Sequence, residues 1–178
     1  MSKDICVLGI DPGGTTGMTV VAVEDGIAVV TASQQIDCST EQGLVDCGLV
    51  VESLIRGKVI DKIAIERFNI SGRTATLSRQ YEALYMIGIV KFLVGQCDVD
   101  FVMQNPADAK NIWGDWRINL NIEADTLQLD VPVKKPHAQD SLRHALLGAR
   151  FVGVAPSDDD LDVVRGTMTC TDSDTGEK

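Results

Sequence analysis

Aromatic side chains are scarce. Phe, Trp and Tyr together make up 4% of the 178 residues, so the core has to be aliphatic and alanine-rich. Bases are also few: 16 Lys and Arg stand against 26 Asp and Glu, a net charge of −10. That excludes a generally basic surface of the kind non-specific nucleic-acid binding uses. Cys-x-x-Cys pairs are absent, and Cys6, Cys38, Cys47, Cys97 and Cys170 are odd in number and scattered. This argues against a disulfide framework or a zinc site and for a reducing compartment. Long hydrophobic runs are missing too. The most apolar stretch, Ala83 to Val94, is interrupted by Gly88 and Lys91 and is too short to span a bilayer. The N-terminal residues lack an apolar signal segment, so a cytoplasmic protein without a membrane partner is expected.

Hydrophobic residues at 44% and charged residues at 24% are the balance of a globular domain. Seven acids and two bases follow Pro156, which divides the chain into a domain over 1–155 and an acidic tail over 156–178, expected to be mobile. Ile5–Ile10 reads as a buried strand ending at Asp-Pro-Gly-Gly. Met18–Val23 and Ile27–Ile36 are β-branched runs joined by Asp25-Gly26, a hairpin signal. Ser39 and Thr40 are candidate caps for a helix carrying Leu44, Cys47, Val51, Leu54 and Ile55, closed by Gly57. Lys62–Glu66 is a fourth strand. Leu77, Tyr81, Leu84, Gly88 and Phe92 mark one face of a second helix. Val99–Met103 is a fifth strand, and Pro106–Trp113 a short helix. Residues 114–132 carry no clear pattern. Pro136 suits the first position of a last helix, buried through Leu142, Ala145, Leu146 and Ala149. The order is β-β-β-α-β-α-β-α.

Two acids stand directly after apolar strands: Asp11 after the first and Glu66 at the end of Ile-Ala-Ile-Glu. If those strands are sheet neighbours, their ends lie ~5 Å apart. Carboxylates that close repel unless one is protonated or a cation joins them. Oxygen ligands without cysteine point to Mg²⁺ or Mn²⁺. On the last helix His137 and Asp140 share a face, and His144 lies one turn further on. Packed against the strand ends, this stripe brings Asp140, with His137, to the same ions. Two ions ~3.5–4 Å apart activate water and stabilise the leaving oxygen in phosphodiester cleavage. Each residue also has a plainer explanation. Asp11 can be a turn former, Glu66 a solvated strand end, and Asp140 a surface partner of Arg143. His137 can be an ordinary helix N-terminal residue, and His144 is best taken as structural support.

Gly-Ile-Asp-Pro-Gly at 9–13, Ile-Ala-Ile-Glu at 63–66 and His-Ala-Gln-Asp-Ser-Leu-Arg-His-Ala at 137–145 together resemble RuvC-type Holliday junction resolvases, in particular those of bacteriophages. Asn105-Pro106 to Lys110 fits the same resemblance. It implies an α/β, ribonuclease H-like fold with a five-stranded mixed sheet, the first three strands antiparallel, flanked by helices. It implies a Mg²⁺-dependent endonuclease, with Mn²⁺ substituting and two ions per site, that nicks branched DNA as a homodimer without a nucleotide cofactor. For a phage protein the compartment is the host cytoplasm. Asp11, Glu66 and Asp140 match three catalytic acids, His137 the fourth position, and Lys110 a basic residue near them. Cellular members carry an aromatic wedge after the second acid, where Phe68 stands close by.

The few bases cluster beside these acids. Arg73 and Arg79 near the second helix, with Phe68 stacking on a base, and Lys134, Lys135 and Arg143 near the last one, are the expected DNA contacts with Lys110. Trp113 and Trp116 are either further contacts or core and interface residues. Two alternatives remain open. One is a nuclease of the same fold acting on forks, flaps or RNA–DNA hybrids. The other is an actin/hexokinase-like phosphotransferase, whose phosphate loop Asp11–Gly17 also resembles; that class needs two related lobes, and no second Gly-rich copy is present.

Overall fold

The structure is a computed structural model that describes residues 4–68 and 81–154. The chain opens with an antiparallel meander: β1 (Ile5–Asp11), β2 (Thr15–Glu24) and β3 (Ile27–Asp37). Asp25 and Gly26 both have positive φ, 49° and 82°, the conformation a two-residue hairpin turn requires. Helix α1 (Glu41–Arg56) starts at Thr40, whose side chain accepts from Gly43 N, and ends at Gly57. Strand β4 (Lys62–Glu66), helix α2 (Tyr81–Val94), strand β5 (Asp100–Gln104) and helix α3 (Pro106–Ile112) follow as expected from sequence. Residues 69–80 between β4 and α2, with Leu77, Arg73 and Arg79, and the tail over 156–178 lie outside the described residues.

Two expectations are corrected. Among the described residues the sheet has six strands, ordered β5-β4-β1-β2-β3-β6, not five. The segment that carries no pattern in the sequence forms helix α4 (Asp115–Glu123) and the edge strand β6 (Leu127–Leu129). At three residues β6 is too short to show alternation; parallel pairing to β3 defines it, with Ala28 N donating to Thr126 O at 2.9 Å. The face of α2 marked by Tyr81, Leu84, Gly88 and Phe92 points outward. Its buried residues are Ala83, Met86, Ile87 and Val90, because α2 is apolar on all sides and periodicity cannot say which side is covered.

Strand parity distributes the sheet between two layers. Leu8, Ile10, Met18, Val20, Ile63 and Ile65 pack with α1 and α2 in one core cluster. The opposite parity belongs to helix α5 (Pro136–Gly148), with Val21, Val23, Leu142, Ala145 and Leu146 in a second cluster that includes Trp113. Gly9, Asp11, Gly17, Ala64 and Glu66 fall on this second face.

Helix α5 lies unusually close to the sheet. A Cβ on Gly9 would sit 2.0 Å from Ser141 O, and one on Gly17 2.0 Å from His137 O. Only glycine permits such backbone approach. Beside them Thr19 Oγ1 bonds to Ser141 Oγ at 2.8 Å and to Ala138 O at 3.1 Å, buried polar contacts that fix the helix in register. Gly17→Ala is expected to destabilise the protein by about 2–4 kcal/mol through overpacking. Gly14→Ala, with no atom within 4 Å of the added Cβ, is the control and stays near wild type. Urea unfolding of the two variants checks this; equal stability would contradict the close seating.

Candidate active site

β1 and β4 are parallel neighbours, paired up to Ile10 and Ile65. Asp11 and Glu66 follow one step further on, and parity turns both toward α5. The helix answers with one residue per turn. His137 Nδ1 lies 2.7 Å from Asp11 Oδ2, and His144 Nε2 lies 2.9 Å from Glu66 Oε2. Asp140 sits between the two histidines in sequence. Its carboxylate is bonded to Arg143 and lies 3.2 Å from Lys110 Nζ.

Each acid therefore has its own cationic or hydrogen-bonding partner, yet the three share one field. Burial pushes the Asp11 carboxyl up from 3.8 to about 6; the His137 hydrogen bond opposes this, and the charges of Glu66 and Asp140 add to the rise. Asp11 is 8% exposed, so it is desolvated beside two like charges. A divalent cation relieves that arrangement, and three carboxylates are the hard oxygen donors that Mg²⁺ or Mn²⁺ takes, with the imidazole of His137 a softer donor beside them. In donor chemistry and in electrostatics the residues fit such an ion. As they stand, no group of three His, Cys, Asp or Glu side chains is gathered to ligating distance among the described residues.

The remaining expected residues are placed as follows. Lys110 is on α3 and exposed; with Gly114, Gln139 and Asp140 it lines an open cleft of about 400 Å³. Lys134 and Lys135 are exposed at the start of α5. Phe68, beyond Glu66, packs against the core cluster of α1 and α2. Arg143 is turned inward, 9% exposed. Trp113 is fully buried, stacked on Phe151 with ring centres 5.5 Å apart, which makes it a core residue. Gly13 N–H of the glycine turn is directed to Thr16 Oγ1 at 3.3 Å, within the turn itself, and no second lobe exists among the described residues for a phosphotransferase.

Sequence reasoning missed two glutamines. Gln35 is paired with Gly17 across β2 and β3. With its amide oxygen toward α5, it accepts from His137 N at 2.7 Å and Ala138 N at 3.0 Å. It thereby caps a helix whose N-cap residue, Lys135, makes no side-chain cap bond. Gln104 ends β5. With its amide nitrogen toward His144 Nδ1 at 2.7 Å and its oxygen on Gly148 N at 3.1 Å, it fixes the imidazole so that Nε2–H donates to Glu66. The available signal was a polar residue at an inward strand parity, in line with Gly17 and Glu66.

No protein-family model and no curated protein matches the sequence. Solved structures do. A Thermus thermophilus RuvC in complex with a Holliday junction substrate superposes with TM-score 0.62 at 18% identity, over 80% of this chain and 90% of that one. The chain has the RuvC-type, ribonuclease H-like fold. A second T. thermophilus RuvC structure gives TM-score 0.63 at 21% identity, over 80% and 92%. The yeast mitochondrial Holliday junction resolvase Ydc2 gives 0.58 at 12%, over 90% and 83%.

The raised Asp11 carboxyl sets a pH signature for the metal-free protein. Its folded value, about 6, lies above the ordinary 3.8. The folded state therefore binds the proton more tightly, and stability falls as pH rises from ~4 to ~6 and stays lower above. In EDTA, Asp11→Asn is expected to be more stable than wild type by about 1–3 kcal/mol at pH 7.5 and equal to it below pH ~4. Urea midpoints across pH check this; a destabilised Asp11→Asn at pH 7.5 would contradict the electrostatic account.

Proposed function

We propose that the chain is a divalent-metal-dependent endonuclease that nicks branched DNA of the Holliday-junction type. The observation that carries this is the joint placement of Asp11 and Glu66 at the ends of adjacent parallel strands, with Asp140 of α5 acting on the same field. That placement occurs in a fold shared with a RuvC seen bound to a Holliday junction.

Asp11, Glu66, Asp140 and His137 would hold Mg²⁺, with Mn²⁺ able to replace it. When bound, a divalent pair supplies an activated water and charge neutralisation at the scissile phosphate. The chain's own residues do the rest. Gln104 and His144 orient Glu66 through a hydrogen-bonded chain. Lys110, 55% exposed in its side chain, can leave Asp140 for a phosphate oxygen. Lys134 and Lys135 at the mouth of α5 meet the flanking backbone, and Phe68 is the residue nearest the second acid able to stack on an opened base. With so few bases on a chain of charge −10, binding is weak and steeply salt-dependent.

Homodimerisation is part of the proposal, because symmetric nicking of a four-way junction takes two sites. The outer face of α2 supports it. Tyr81 is 61% exposed, Tyr85 57% and Phe92 69%; Leu84 lies between them and Val45 and Leu49 lie on the neighbouring α1. The patch is on the order of 500 Å² per copy, approaching the ~800 Å² per partner of a standard interface. Sedimentation is expected to give a dimer for wild type and a monomer for Phe92→Asp.

The decisive assay compares Asp140→Asn with wild type on labelled four-way, forked, linear and RNA–DNA hybrid substrates with Mg²⁺ or Mn²⁺. Cleavage is expected on the four-way junction and to fall on the order of 100-fold or more in the variant while binding survives. Normal cutting by the variant would overturn the site. Wild-type preference for forks or hybrids would redirect the substrate.

A further inference from the structure

Arg143 follows Asp140 by three residues, so both project from one side of α5. Its side chain is 11% exposed, and a guanidinium persists at that burial only when its fork is satisfied. Three partners satisfy it. Nε donates to Trp113 O at 3.0 Å, Nη1 donates to Asp140 Oδ1, and Nη2 donates to Asp115 Oδ1. The first of these belongs to a closely packed residue. Trp113 is fully buried, stacked on Phe151 and covered by the Arg117 guanidinium 4.6 Å from its ring centre. Arg117 in turn donates to Val152 O at 2.7 Å. A packed corner between α3 and α4 thus reaches Asp140 through one side chain.

The consequence for Asp140 is unequal treatment of its two oxygens. Oδ1 is held by a group that cannot turn without breaking its bonds to Trp113 O and Asp115. Oδ2 faces Lys110 Nζ at 3.2 Å, and that lysine is 55% exposed in its side chain on a flexible stem. One oxygen is fixed and the other is releasable.

We propose that Arg143 is a positioning residue: its fork onto Trp113 O, Asp115 and Asp140 pins Asp140 Oδ1 and presents Oδ2 toward the ions, with Asp115 as the fork's outer anchor. This rests on the nuclease function above. It gives Arg143 a different role from the phosphate contact expected from sequence, because a guanidinium so buried and so fully engaged has little left to offer DNA. Asp115 enters the account as a residue with no motif to announce it.

The test measures Mn²⁺ affinity in the absence of DNA, by calorimetry or Mn²⁺ EPR, on wild type, Asp115→Asn, Arg143→Lys and Arg143→Met. Circular dichroism establishes that each is folded, and junction-cleavage kinetics run alongside. Arg143→Met is expected to lose roughly 10–100-fold in Mn²⁺ affinity, as removal of a residue that orients a metal ligand does. Arg143→Lys recovers part of that loss. Asp115→Asn, with a side chain 77% exposed, folds normally and weakens Mn²⁺ binding by a smaller factor. The kinetic loss falls on kcat and leaves KM for DNA unchanged. If Arg143→Met does not fold, Arg143→Lys and Asp115→Asn decide. Mn²⁺ affinity within about two-fold of wild type in both would overturn the proposal, since an orienting residue costs more than that. A rise in KM with a shallower salt dependence and unchanged Mn²⁺ affinity would overturn it in favour of a DNA contact. A wild type that neither binds Mn²⁺ nor cuts branched DNA fails the nuclease function, and the proposal with it. A wild type that does both beside indifferent variants fails the proposal alone.

Discussion

The seating of α5 on the first two strands is the constraint on which the rest depends. Gly9 and Gly17 remove the two side chains that would hold the helix off, and the backbones meet. Thr19 and Ser141 then lock the helix along its length. At that distance His137 reaches Asp11 and His144 reaches Glu66 directly. A helix lifted by the thickness of a methyl group would stretch both histidine contacts beyond hydrogen-bonding distance.

The site carries electrostatic strain that the fold does not relieve. Asp11 is buried beside like charges, which works against stability at neutral pH. Around it the protein gives each acid its own partners rather than a shared one: His137 for Asp11, His144 for Glu66, and both Lys110 and Arg143 for Asp140. These partners differ in how readily they let go. His144 and Arg143 are buried and tied to a second element, which suits groups that orient. Lys110 and His137 are exposed, which would suit groups that rearrange when a cation or phosphate arrives at the proposed site. In the proposed nuclease, the division between fixed and releasable partners would let the domain keep three acids separately satisfied without an ion and still yield them to one.

Much of this was legible in the sequence because it rests on local signals. Asp25-Gly26 forms the expected hairpin, Thr40 the expected cap, and Pro136 opens α5. Asp11 and Glu66 were recognisable because a carboxylate ending an apolar run is conspicuous. What escaped depends on tertiary pairing. β6 is three residues long and exists through β3. The outward face of α2 could not be told from its inward face, since both are apolar. Gln35, Gln104 and Asp115 lie in no motif; each matters through a partner distant in sequence. Arg143 is visible in the sequence as a base near the site, but its direction, inward onto Trp113 and Asp115, is set by the α3–α4 corner, whose second helix carries no clear pattern in the sequence.

The central claim is that Asp11, Glu66 and Asp140 close around a common divalent cation. Anomalous diffraction from a crystal soaked in Mn²⁺ tests it most directly. The account predicts manganese peaks with oxygens of all three carboxylates within about 2.0–2.5 Å, and Lys110 displaced from Asp140. Manganese absent from this position at saturating concentration, or bound with the three acids still held by their separate partners, would contradict it.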